Sequence, residues 1–351
     1  MSGKIKFGVA SPLPGQSVEN LIRMTSKTER LGFDTIWFPD HVVFMAKTLT
    51  PEVWSVITAA GMKTKKIILG SIGDAHRIHP AICAHRLATV DHISRGRIFV
   101  CLGYGEKMNL DPYGIKWNKP LTRVREAIQI MRSLWKGGQV DFDGEIYKLS
   151  KAELRIRPFD DRSIPIYVAA TAPKALKLAG ECGEGWVTNA MPPKLYSDKL
   201  SKVREGMKSR DKTLPPLDKC LYIFLSIADD KDKAYVTLEP VKHALIWPEL
   251  LKEAGYDIEV SEEYGDLQYT KIMPNDTDMI KRFREMGAKY YSRDIVEDFV
   301  ISGSKADAIE KIERYIAAGV THFIFRDFSP DRQASLRTLS KEILPYFRYN
   351  G

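Results

Sequence analysis

The chain has 351 residues, 44% of them apolar and 28% charged, with a net charge of +8; this is the balance of a folded globular protein and excludes disordered and fibrous classes. It contains no run of about 18 apolar residues, and its opening MSGKIKFGVAS lacks the apolar stretch of a secretory signal, so the expectation is a cytoplasmic protein with no membrane partner. Four separated cysteines (Cys83, Cys101, Cys182, Cys220) form no CxxC pair, and the basic residues are interspersed with 45 acids; a disulfide framework is not suggested, nucleic acid is unsupported, and an anionic small molecule accounts for the charge more simply.

In chain order, short runs rich in Ile, Val and Phe predict strands over 5–9, 35–38, 67–70, 98–102, 166–169, 185–188, 221–228 and 321–325. Between them lie segments of helical period. In 121–135, Leu121, Val124, Ile128, Met131 and Trp135 share one face, while 305–318 has Ser304 as N-cap and Gly319 as stop. Eight βα repeats predict a (β/α)8 TIM barrel rather than a doubly wound sheet, since no glycine-rich dinucleotide fingerprint marks a crevice. VDFDGEIYKL at 140–149 predicts a hairpin at Asp143-Gly144 that covers one barrel end. The stretch 238–300 is too long for an ordinary connection and reads as an insertion that lids the barrel. With no linker in sight, 1–351 reads as one domain.

In a parallel barrel the catalytic mouth forms just past the C-terminal ends of the strands. Three places there carry chemistry. GFDTIWFPDHV drives a buried strand to end on Asp40 and His41, a carboxylate beside an imidazole that can serve acid–base work near neutral pH; the same pair also occurs as a cap or surface ion pair. Glu106 follows the fourth strand in CLGYGEK, with Gly103 and Gly105 allowing backbone to approach a flat ligand; the plainer reading is a loop glutamate between turn glycines. The small residues at 169–172 before Pro173 expose backbone N–H groups at a helix start, where a phosphate can sit, although such turns also serve close packing. Gly70 and Gly73 flank Ser71-Ile72 after the third strand, as a distorted backbone under a ring would require. No metal is expected, because Asp74, His76 and His79 offer no fixed ligand geometry. GxSxG is absent, which removes an esterase-like serine.

Together, FPDH, GYGE, KPLTRVREAIQIMRSLW, VDFDGEIYKL, IPIYVAATAPKALKLAGECGEGW and AGVTHFIF resemble the bacterial luciferase-like superfamily, in its coenzyme F420-dependent branch. The likeness covers almost the whole chain and is nearest to the methylenetetrahydromethanopterin reductases and the F420-dependent glucose-6-phosphate dehydrogenases. It implies a homodimeric TIM barrel that holds the deazaflavin ring at its mouth, on a non-prolyl cis peptide within Ser71, Ile72 and Gly73. It places Asp40 and His41 beside the ring and Glu106 near the substrate. It puts Ala170, Thr171, Ala172 and Pro173 at the phosphate tail, with Gly103, Gly105 and Asn189 completing the coenzyme site. Lys281 and Arg282 stand where a sugar phosphate would bind. The implied reaction is hydride transfer at C5, with Glu106 or His41 moving the proton and Asp40 orienting His41. One departure stands out: FGVASPLP, the first strand, has Ala10 where the pterin enzymes carry an acid. The alternatives are an FMN-dependent monooxygenase on the same barrel and a non-catalytic binding barrel.

Overall fold

The computed structural model describes residues 5–11, 15–44, 48–259 and 261–349. Four strands open the chain, β1 (Lys6–Ala10), β2 (Thr35–Pro39), β3 (Ile68–Asp74) and β4 (Ile98–Gly103), followed by an antiparallel hairpin of β5 (Val140–Asp143) and β6 (Lys148–Ala152). Then come β7 (Ile166–Ala169), β8 (Gly185–Thr188), β9 (Asp218–Ile227), β10 (Ile301–Gly303) and β11 (His322–Asp327). Eight of these pair in parallel in the order β1-β2-β3-β4-β7-β8-β9-β11, and β11 returns to β1, so the sheet closes into the expected TIM barrel with helices outside.

Alternation along the strands separates two cores. In β2, Trp37 faces the lumen while Ile36 and Phe38 face the helices. Trp37, Phe99 and Tyr167 fill the lumen, with ring centroids 4.1, 5.3 and 5.1 Å apart. Gly70 makes the room: a Cβ there would lie 2.3 Å from the Phe99 ring. Truncating Trp37 to alanine would cost about 3–5 kcal/mol by the usual cavity cost. Because this aromatic plug fills the barrel, a ligand can enter only above it.

The strand ends differ from expectation in one informative place. β3 does not stop at Gly70 but pairs with β4 as far as Asp74, with Ile72 opposite Cys101 and Gly73 opposite Leu102. Gly70 serves lumen packing, not a turn. The hairpin turn is longer than the Asp143-Gly144 pair suggested and spans 144–147. Glu126, buried in the helix Pro120–Lys136, accepts from the backbone N–H groups of Glu145, Ile146 and Tyr147 at 2.7, 3.1 and 3.0 Å. Tyr147 then donates to the Ala75 carbonyl at 2.9 Å, tying the hairpin over the loop after β3.

Between β9 and β10 the chain forms a set of short helices, of which Thr277–Tyr290 and Arg293–Phe299 lead into β10. β10 pairs with Leu225–Ile227 of β9, whereas β8 pairs only with the earlier part, Asp218–Leu221. Among the described residues, no helix is long and apolar enough to cross a membrane.

At the N-terminal ends of the strands, a buried polar group forms the barrel floor. His322 Nδ1 lies 2.9 Å from Asp218 Oδ2, and its Nε2 lies 2.8 Å from Thr35 Oγ1, which also accepts from Trp37 Nε1. Lys6 Nζ and Tyr167 OH add bonds of 3.0 and 3.1 Å to the same Asp218 oxygen, and Thr321 bonds the other. Burial alone would raise the Asp218 carboxyl; the charges of His322 and Lys6 and their hydrogen bonds outweigh it and hold the group well below the usual carboxylate range. Asp218, Cys220 and His322 lie close enough together to ligate a metal, a grouping that the sequence did not suggest. In this structure the ammonium of Lys6 is bonded to that carboxylate.

Candidate active site

The C-terminal ends of the strands surround a cavity of about 260 Å³. Its lining includes Asp40, His41, Ile72, Gly73, Gly103, Gly105, Glu106, Ala170, Thr171 and Asn189, which come from turns distant in sequence. Other residues of the sequence reading lie elsewhere. Ser71 alternates with Ile72 on β3 and is buried toward Trp54 and Cys83. Ala172 and Pro173 are exposed beyond the lining, where they begin the helix Pro173–Cys182. Lys281 pairs with Glu285, and Arg282 with Asp266, on a helix that does not line the cavity.

Gly105 takes φ +85°, a turn that a residue with a side chain adopts only under strain, and the chain leaves it at Glu106. Three residues on, in the short turn Lys107–Asn109, stands a buried amide that the sequence reading passed over. Asn109 Oδ1 accepts from the backbone N–H groups of Val42 and Val43 at 2.8 and 3.2 Å, which fixes the orientation of the amide, since those groups can only donate. Its Nδ2 therefore donates, to His41 Nδ1 at 2.9 Å and to Glu106 Oε2 at 3.4 Å. The His41 proton must then sit on Nε2. His41 Nδ1 and Glu106 Oε2 themselves stand 3.4 Å apart. The i, i+3 spacing of Glu106 and Asn109 was the available signal.

Both groups are pushed toward neutrality. Burial, joined by the charge of Arg77, lowers His41 to about 4. Burial, joined by the charge of Asp74, raises Glu106 to about 7, with Arg77 and the Asn109 bond opposing it. A carboxyl poised near 7 beside a neutral imidazole of fixed tautomer suits proton transfer at neutral pH.

Asp40 is held differently. Its backbone N–H donates to the Ile72 carbonyl at 2.8 Å, joining the ends of β2 and β3. Arg77 donates to the Asp40 carbonyl at 2.8 Å and to its carboxylate at 3.2 Å, while its Nε bonds Asp74 at 2.5 Å. Burial raises the Asp40 carboxyl despite this partner. Asp40 therefore fixes the two loops against each other next to His41 in the chain.

The remaining wall is aromatic. Tyr222 and Phe224 come from β9, Phe328 from beyond β11, and Trp247 and Tyr269 from the long segment after β9. Trp247 and Tyr269 stack at 4.7 Å with an interplanar angle of 16°. Arg326, on β11, supplies a guanidinium. Thr188 lines the cavity, and its Oγ1 is buried with no hydrogen-bond partner among the described residues. Periodicity could not reveal Trp247 and Tyr269, because the segment that carries them has no repeating βα pattern.

The sequence pattern of the luciferase-like monooxygenases matches residues 4–322. A 5,10-methylenetetrahydromethanopterin reductase of Archaeoglobus fulgidus is 31% identical over 346 residues, covering 97% of this chain and 99% of that protein. An F420-dependent glucose-6-phosphate dehydrogenase of Amycolatopsis mediterranei is 26% identical over 99% of this chain and 100% of its own length. The solved structure of an F420-dependent secondary alcohol dehydrogenase in complex with an F420-acetone adduct superposes with a TM-score of 0.82 at 26% identity, covering 98% of this chain and 99% of that one. With barrel, mouth and sequence in agreement over nearly its full length, the chain belongs to the luciferase-like monooxygenase family.

Proposed function

We propose that the protein is a coenzyme F420-dependent oxidoreductase that transfers a hydride between the deazaflavin C5 and a substrate carbon, with an activity of the methylenetetrahydromethanopterin reductase type. The observation that carries this reading is the Glu106–Asn109–His41 group, a proton-handling set that opens on the same cavity as Ile72, Gly73 and Thr171. The cavity suits a planar coenzyme. Backbone lies bare at Gly73 and Gly103, where a Cβ on Gly103 would come 3.2 Å from the Gly73 carbonyl, and the orphan Thr188 hydroxyl awaits a polar edge. Ile72, Gly73, Thr188 and Asn189 would hold the ring, and the start of the helix Pro173–Cys182 the phosphate tail. When bound, the coenzyme supplies two-electron hydride chemistry without a free radical step.

The chain's own residues do the rest. Glu106 gives or takes the proton that accompanies hydride transfer, and His41 presents Nε2–H to stabilise negative charge on the reacting partner. Asn109 keeps that tautomer. The aromatic wall of Tyr222, Phe224, Trp247, Tyr269 and Phe328 takes a flat substrate, and the Archaeoglobus relative supports the pterin reading. Residues 1–351 act in this proposal as one domain, in a cytoplasmic homodimer.

Titration with oxidised and reduced coenzyme F420 tests the reading, with methylenetetrahydromethanopterin as the first substrate. Binding and bleaching or recovery of the visible band are expected. Tight FMN binding without F420 binding would overturn it in favour of an oxygenase, and neither would leave a binding barrel.

A further inference from the structure

Strand order places β11 four strands from β4 either way around the barrel, so Arg326 faces the Glu106 loop across the mouth. Its surroundings are unusual for a charge. NH1 donates to the Ser11 carbonyl at 2.7 Å, and the guanidinium lies 5.9 Å from the Phe328 ring centroid. Among the described residues it pairs with no carboxylate and makes no second hydrogen bond. Tyr269, in the same lining, is within electrostatic reach of both sides: burial raises its phenol, the Glu106 charge adds to that rise, and the Arg326 charge opposes it. A half-buried guanidinium with donors to spare, set in an aromatic wall, offers an anion a charged partner that no carboxylate of the described residues already occupies. Pinning β1 to β11 through one carbonyl would need a single donor, not a fork.

We infer that Arg326 binds a carboxylate of the substrate, so that the substrate is a flat or apolar molecule carrying that group on the side away from Glu106. A guanidinium offers two parallel N–H donors to the two oxygens of a carboxylate, a match that neither an amide nor an alcohol can repeat. The rings of Trp247, Tyr269 and Phe328 would enclose the body between the two polar ends. This inference rests on the cavity being the substrate site of the proposed oxidoreductase, and it names the substrate's chemical class.

The test uses benzoate and its neutral analogue benzamide as probes, with binding read by calorimetry and by quenching of tryptophan emission at the cavity, in the presence and absence of coenzyme F420. The wild-type protein should prefer benzoate by about tenfold or more, the usual worth of a charge-assisted hydrogen bond. In R326M the preference should vanish while F420 affinity stays within about twofold, since the proposed coenzyme contacts lie at Ile72, Gly73, Thr188 and Asn189 instead. R326Q serves the same purpose if R326M does not fold, and R326K should keep part of the preference. Equal binding of the two probes by wild type, or a preference that survives R326M or R326Q, overturns the inference. A benzoate preference that depends on Arg326 in a protein that fails to bind F420 would instead overturn the coenzyme reading alone.

Discussion

Two histidine–carboxylate pairs occupy the two ends of one barrel; burial pushes both carboxyls up, and their partners send them in opposite directions. At the floor, His322 and Asp218 lie 2.9 Å apart, with Lys6, Tyr167 and Thr321 also bonded to the carboxylate, and Asp218 is held as an anion. At the mouth, His41 and Glu106 lie 3.4 Å apart and share the amide of Asn109, and Glu106 is raised to about 7. The residue types match; the supply of donors does not. Where every oxygen is satisfied, burial makes a rigid joint, and where donors are short, it makes a group that exchanges its proton.

The comparison predicts separable failures. Glu106→Gln should lower turnover by about 10²–10⁴-fold, the range for loss of a general acid or base, with coenzyme affinity nearly unchanged. Steady-state kinetics beside F420 titration would check this, and unchanged turnover would remove Glu106 from the mechanism. Asp218→Asn should do the reverse. It leaves the fully buried His322 without its anionic partner and should destabilise the fold by about 3–5 kcal/mol in urea unfolding, while kcat per folded molecule holds. A change in kcat larger than the change in folded fraction would show that the two ends are coupled.

This contrast was half legible in the sequence. Strand ends marked the mouth, so Asp40, His41 and Glu106 could be found from the apolar runs before them. The floor could not be read that way. Lys6, Asp218 and His322 come from the starts of three strands, where no turn signal stands out, and they meet only because the sheet closes. Arg77 and Asn109 escaped for a related reason: each acts through a bond to a loop more than thirty residues away. Trp247 and Tyr269 of the aromatic wall escaped because one precedes and the other opens a short helical turn whose packing carries no period. The orientation of Ser71 was not legible, because Gly70 serves the Phe99 ring inside a continuous strand that turns the Ser71 side chain away from the cavity.

Asn109→Leu sharpens the mouth itself. The variant keeps the branched side-chain shape but frees His41 to take either tautomer and strips the carbonyl that Val42 and Val43 use. Turnover should fall by roughly tenfold to a hundredfold, the effect of misplacing a catalytic group. A merely structural role would leave the pH profile in place, so the decisive reading is whether the limb set by Glu106 moves. Loss of the Asn109 bond, which holds the Glu106 pKa down, should shift that limb to higher pH.

The smallest effect is on stability, and its sign depends on which member of the pair remains. Glu106 is raised from 4.5 to about 7, so between those values the folded state keeps a proton that the unfolded chain has lost, and stability falls as pH rises. His41 is lowered from 6.5 to about 4, so between those values the unfolded chain holds the extra proton, and stability rises with pH. In the wild type the two slopes oppose each other from about 4.5 to 6.5, the interval common to both windows, and nearly cancel. In Glu106→Gln only the histidine slope is left, so stability should climb by on the order of 1–2 kcal/mol between pH 4 and 6.5 after allowing for the partial exposure of the ring. In His41→Asn the carboxyl slope is left, and stability should decline over pH 4.5 to 7 by a similar amount. Denaturant midpoints across that range decide it: parallel curves for both variants would mean that the mouth, like the floor, is fully satisfied, and the contrast between the two ends would be lost.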